Sequence, residues 1–206
     1  TVAANITVAD RSFSVRDVDA LTVGTVASAG TLDGNAGVVS ISGITSLGNA
    51  TGGVSVLAGG NLTVSEAIST ASASSGQSGG TVLLKTTGAG NIVTNTNGTI
   101  TTTGNGAGAG GEILVYTGAA GNITLNNNVS AAGGATGNGA VVTVRTTSGT
   151  VQLGNVAAGT NGTLQLNVTG GDTTQLAGGN LSGTSLKVLS DSNVTLASAG
   201  NNFTTV

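Results

Sequence analysis

Cysteine, histidine, proline, methionine and tryptophan are all missing from this 206-residue chain. Without cysteine, no disulfide can hold the fold, and thiol chemistry and zinc–thiolate centres are excluded. Without histidine, the commonest general base and metal ligand is gone. Aromatic residues number three, Phe13, Tyr116 and Phe203. A globular core normally leans on large rings, so this core should be narrow and built from Val, Ile and Leu. Charge is sparse as well, with five basic and eight acidic residues and a net charge of -3. Five cations make no phosphate-tracking patch, and nucleic acid is not expected as a partner. No run reaches the ~18 apolar residues of a membrane span, and no basic-then-apolar leader opens the chain, so this segment is not expected to insert into a membrane. Lacking an initiator Met and starting in mid-pattern, the chain reads as a piece of something longer.

What is present is glycine, 37 residues of it, together with repetition. Gly60-Asn61-Leu62-Thr63-Val64 is followed by Gly90-Asn91-Ile92-Val93, Gly121-Asn122-Ile123-Thr124-Leu125 and Gly149-Thr150-Val151-Gln152-Leu153. Inside each copy a second strand follows a glycine: Val82-Leu83-Leu84-Lys85, Ile113-Leu114-Val115-Tyr116 and Val142-Thr143-Val144-Arg145. A third apolar site falls at Ile68, Ile100, Val129 and Val156. The copies are 30, 31 and 28 residues apart, with the excess confined to polar runs at 69–79, 101–110 and 130–139. Where that run shrinks, Val142 to Leu164 and Leu164 to Leu186 are each 22 residues. The repeating unit is therefore about 22 residues with an optional loop at one corner. Three short strands joined by Gly/Asn corners make a β-helix coil. The expected fold is all-β, a single-stranded parallel β-helix spanning 1–206. It divides into an irregular first coil (1–20), short-loop coils (21–59), long-loop coils (60–149) and short-loop coils again (150–206).

Alternation assigns faces. Val82, Leu84, Ile113, Val115, Val142, Val144, Leu164 and Leu166 should point inward, and Lys85, Tyr116, Arg145 and Asn167 outward, one above another. Neighbouring coils lie ~4.8 Å apart, so Lys85 and Arg145 should flank the Tyr116 ring as a surface ladder; a sugar stacked on Tyr116 is the alternative. Asn61, Asn91, Asn122 and Asn180 are expected at one recurring corner. Asn and Gly tolerate the left-handed backbone of tight corners, and stacked amides can hydrogen-bond along a stack.

Other motifs are weaker. Asp17 and Asp19 would share a face if extended, but five charges between Asp10 and Asp19 read as a solvated loop or cap over a solenoid end. Asp33-Gly34-Asn35-Ala36-Gly37 resembles a calcium-binding turn; one copy cannot supply the ion's oxygens, and a plain turn is expected. Asn-x-Ser/Thr triplets include Asn97, Asn128 and Asn161 as candidate glycan acceptors. No cofactor or metal site is expected.

The Gly-Asn-(Ile/Leu)-Thr-(Val/Leu) corners, Gly-Gly-x-(Val/Ile) strands and Ser/Gly/Asn-rich inserts resemble the passenger regions of filamentous-haemagglutinin-like exoproteins and autotransporter adhesins. The resemblance covers roughly 21–196. It implies an exported bacterial cell-surface protein, adhesive or fibrous, whose partners would be host or neighbouring-cell surface glycans or proteins. That family's secretion domain carries Asn-Pro motifs, so a chain without proline would come from the passenger body.

A structural or adhesive segment is thus the leading expectation. End-to-end self-association into a filament through open solenoid strands is the alternative. A polysaccharide-active enzyme needs converging carboxylates or an activated base; Glu66, Glu112, Asp172 and Asp191 are scattered, and no enzyme is expected. An ice-binding surface needs Thr pairs in register, but Thr99 and Thr101 stand beside Ala67 and Ser69, then Asn128 and Ser130.

Overall fold

The computed structural model describes residues 1–28, 39–48 and 51–206, and every element among them is a β-strand. Three parallel sheets of seven strands run through them. Sheet I is narrow: Ala4–Ile6, Ile44–Ser46, Ile68–Ser69, Ile100–Thr101, Val129–Ser130, Val156–Ala157 and Leu181–Ser182. Sheet II is broad: Phe13–Asp17, Gly53–Ala58, Thr81–Thr86, Ile113–Thr117, Val141–Thr146, Thr163–Val168 and Ser185–Ser190. Sheet III holds Leu21–Val23, Leu62–Val64, Ile92–Thr94, Ile123–Leu125, Val151–Leu153, Thr173–Gln175 and Val194–Thr195. Each coil takes one strand from each sheet in the order I, II, III. Seven coils result, and the fold is a parallel β-solenoid.

Register follows from the aliphatic pattern. Val82 pairs with Ile113, Ile113 with Val142, Val142 with Leu164, and Leu164 with Leu186. In sheet I, Ile68, Ile100, Val129, Val156 and Leu181 pair in succession. A slip of one residue would turn every inward side chain to solvent. The eight residues expected inward on sheet II (Val82, Leu84, Ile113, Val115, Val142, Val144, Leu164 and Leu166) are all at most 1% exposed. The core is one cluster of Val, Ile, Leu and Ala running along the axis, with Phe13 and Phe203 only packed against its two ends.

Buried threonines finish the inner surface where sheet II turns into sheet III. The hydroxyls of Thr86 and Thr117 donate to the carbonyls of Gly90 and Gly121 at 2.9 and 3.0 Å, and Thr146 donates to Gly121 at 2.9 Å. These side chains are 0–1% exposed, so the corner's turning backbone is satisfied from inside, as buried polar groups require.

The corner glycines are explained differently from the sequence expectation. Among described residues, positive φ occurs at Gly43, Gly76, Gly106, Gly159, Gly170 and Gly178, and at Asp10 and Asn161. The corner residues Gly90, Gly121, Asn91 and Asn122 are not among them. A Cβ on Gly90 would lie 2.1 Å from the carbonyl oxygen of Gly60, and one on Gly121 would lie 2.1 Å from that of Gly90. Glycine stands there because adjacent coils touch backbone to backbone, not because the corner is left-handed.

The inserted runs join sheet I to sheet II in coils 3, 4 and 5. They do not project as separate loops. Gly76 N–H donates to Asn105 O, Asn105 N–H to Gln77 O, Thr136 N–H to Gly106 O and Gly134 N–H to Gly108 O. At their bases, Thr70 and Thr102 hydroxyls donate to the Gly80 and Gly111 carbonyls at 2.7 and 2.6 Å. The three inserts thus stack into a ledge beside the solenoid.

Two stretches depart from expectation. By alternation alone, the stretches 5–8 and 21–26 and the Val39/Ile41 pair read as solenoid strands. The first strand is Ala4–Ile6, and Thr25–Ser28 leaves the wall to pair antiparallel with Val39–Ser42. Val26 is 42% exposed; alternation with period two fits a hairpin as well as a coil strand. At the other end, Asn202 and Thr205 bridge to Ser182 and Ser185. The Gln175 and Asn201 side-chain amides exchange two hydrogen bonds, at 2.7 and 2.9 Å. That polar clasp partly closes the last coil.

Candidate functional site

The corner leading into sheet III carries a side-chain ladder. Asn61 Oδ1 accepts the backbone N–H of Asn91 at 2.9 Å, Asn91 Oδ1 that of Asn122 at 2.8 Å, and Asn122 Oδ1 that of Thr150 at 2.9 Å. The bonds run from side chain to backbone, not amide to amide. Farther on, Asp172 Oδ1 accepts the Asn193 N–H at 3.1 Å.

Asn180 does not belong to this ladder, and its expected place there is corrected. It stands at the corner between sheets III and I, where its N–H donates to Asn155 Oδ1 at 2.9 Å. The local Gly179-Asn180-Leu181 text imitates the repeated motif, but the 22-residue step from Thr150 leads to Asp172. Spacing would have found Asp172 and Asn193; motif matching found Asn180.

The outer face of sheet II gathers the chain's chemistry. Lys85 pairs with Tyr116 and Tyr116 with Arg145. The Lys85 ammonium lies 5.1 Å from the Tyr116 ring centroid and the Arg145 guanidinium 5.0 Å from it. The cations approach from the coils on either side, so the ring is held between them. A sugar could stack on Tyr116 only by displacing one of them. Arg16 and Lys187 also lie on this face, and both are exposed. Four of the five basic residues therefore project from one sheet; Arg11 is the fifth.

The remaining candidates are dispersed. Asn97, Asn128 and Asn161 are all exposed. The Asn161 amide already donates to Asn138 Oδ1 at 2.8 Å, across the step where the ledge ends. Asp17 and Asp19 form a local turn, Asp17 Oδ1 accepting the Asp19 N–H at 3.1 Å. The Asp33–Gly37 turn lies outside the described residues. Among described residues, no three His, Cys, Asp or Glu side chains come together as a metal site would need. Two shallow depressions, of about 290 and 380 Å³, lie where the ledge steps down, lined by Asn138, Thr160, Asn161, Ser182 and Thr184 among others. Their lining is uncharged.

In comparisons with known proteins, no family model, no curated protein and no solved structure matches this chain.

Proposed function

We propose that this chain is a non-catalytic structural and adhesive segment of a bacterial surface protein, a rod held outside the cell. The observation that carries this reading is the uninterrupted stack: seven coils in register, tied by corner ladders, with the inserts hydrogen-bonded into the same stack. Such an object grows in one dimension and resists bending. Seven rungs at ~4.8 Å give about 30 Å of rod, a length of surface suited to extended contacts with surface glycans or proteins. The resemblance of the Gly-Asn corners and Ser/Gly/Asn-rich inserts to exoprotein passenger regions supports the extracellular assignment.

Immunogold electron microscopy of intact source cells tests this. Label along thin projections is expected on unpermeabilised cells. Label found only after permeabilisation would exclude the surface role.

One observation favours a second reading, in which copies join end to end into a filament. Val8, Val18, Val26, Val188, Leu189 and Val206 are the large apolar side chains exposed among described residues. All belong to coils 1 and 7, the chain beyond coil 7, or the hairpin beside coil 1, and no large apolar side chain described in coils 2 to 6 is exposed. An open sheet edge with apolar side chains invites another strand. The same micrographs separate the readings: discrete copies repeating along a fibre mean assembly, whereas one segment within a single projecting polypeptide means a stalk.

A further inference from the structure

We infer that the outer face of sheet II is a binding track for a linear acidic polysaccharide in which a uronate alternates with a neutral sugar. The inference rests on the adhesive reading and names its partner. Arg16 is on coil 1, Lys85 on coil 3, Arg145 on coil 5 and Lys187 on coil 7. A cation thus recurs on every second coil, ~9.6 Å apart along the axis. Arg16, Lys85 and Arg145 share one column, through the pairings Arg16–Leu57–Lys85–Tyr116–Arg145. Lys187 lies one outward position over, opposite Gln165.

A pyranose advances an extended glycan by nearly one β-rung, so a carboxylate on every second sugar meets a cation on every second coil. A polymer charged at every sugar places half its carboxylates opposite Leu57, Tyr116 or Asn167, where no cation answers them. Tyr116 is then a spacer, holding two cations at a fixed separation by contacts worth ~0.5–1 kcal/mol each at an exposed site.

The acids leave this track open although the chain is acidic overall. Asp17 and Asp191, at the corners of the first and last rungs, accept backbone N–H groups of Asp19 and Gly170. Glu112 is the carboxylate at the edge of the face, four residues ahead of Tyr116 on the same strand course. Screening will weaken attraction at such exposed sites, so affinity must fall with salt.

The test is binding of the 206-residue chain to fluorescent hyaluronan, an alternating uronate polymer. Polygalacturonate (charged at every sugar), neutral dextran and double-stranded DNA serve as comparison probes, and melting curves are recorded for each variant. Expected is salt-sensitive binding to hyaluronan that exceeds binding to polygalacturonate and DNA, with none to dextran. Lys85→Gln, Arg145→Gln and Lys187→Gln should each weaken it roughly threefold, the scale of one exposed ion pair. Arg11→Gln, off the track, should leave it unchanged. Lys85 and Arg145 flank the Tyr116 ring and Lys187 does not, so Lys187→Gln decides the matter even if Lys85→Gln and Arg145→Gln unfold. No hyaluronan binding, equal or tighter binding to polygalacturonate or DNA, or unchanged affinity in Lys187→Gln would overturn the inference. Gold label on intact cells with no hyaluronan binding would remove this ligand and leave the surface role standing; binding by a protein confined inside the cell would do the reverse.

Discussion

The carboxamide oxygen of Asn61 accepts the backbone N–H of Asn91 one coil farther on, at 2.9 Å. Asn91 repeats the gesture toward Asn122 at 2.8 Å, so each side chain satisfies a donor that the corner's geometry takes out of the sheet ladder. Asn91→Ala should cost about 1 kcal/mol, the net worth of one such bond. Its urea midpoint should fall accordingly. Asn180→Ala removes a different contact, an acceptor for the Ser198 hydroxyl at 2.9 Å near the chain's end, and should cost less. An unchanged midpoint in Asn91→Ala would remove the ladder as a stabilising element.

Glycine in this fold does two separable jobs, and two alanine substitutions tell them apart. Gly121→Ala places a methyl 2.1 Å from the Gly90 carbonyl oxygen, a collision between backbones that only a shift of whole coils relieves. A loss of about 1–3 kcal/mol is expected, as for overpacking elsewhere. Gly178 has φ +76 but nothing within 4 Å of an added Cβ, so Gly178→Ala pays only left-handed backbone strain, ~1 kcal/mol. Equal destabilisation by the two would contradict the close approach of the coils.

Two threonine-to-valine changes should have opposite signs. Thr173 is fully buried, and its hydroxyl has no hydrogen-bond partner; it occupies a core column otherwise held by Leu62, Ile92, Ile123 and Val151. Thr173→Val should stabilise by about 1 kcal/mol, because an unsatisfied buried hydroxyl is costly. Thr86→Val removes the hydroxyl that serves the Gly90 carbonyl and should destabilise by a similar amount. Paired thermal melts that move in the same direction would refute this account of the two buried threonines.

Register predicts a contrast between core and ledge. Val115 is 0% exposed, and Val115→Asp would bury a carboxylate with no partner, at a cost of several kcal/mol. Loss of the cooperative transition by circular dichroism is expected. Ala107 is exposed on the ledge, so Ala107→Asp should leave the transition within about 0.5 kcal/mol of the parent. Equal tolerance of both would mean the inward assignment is wrong.

Local text decided the coil, its register and the outward Lys85–Tyr116–Arg145 ladder, because strand alternation and a 22-residue step are one-dimensional properties that survive without knowledge of neighbours. It misled where two arrangements share the same text. Val39 and Ile41 alternate like a wall strand but pair antiparallel with Thr25–Ser28, since alternation does not specify a partner. Gly179-Asn180 copies the corner motif one corner too late, because the ladder is built on axial position and not on residue identity. The stacked ledge, the backbone contacts that demand Gly90 and Gly121, and the alignment of Arg16, Lys85, Arg145 and Lys187 on alternate coils depend on residues far apart in the chain meeting across coils. Only stacking brings them together, so only the tertiary structure decided them.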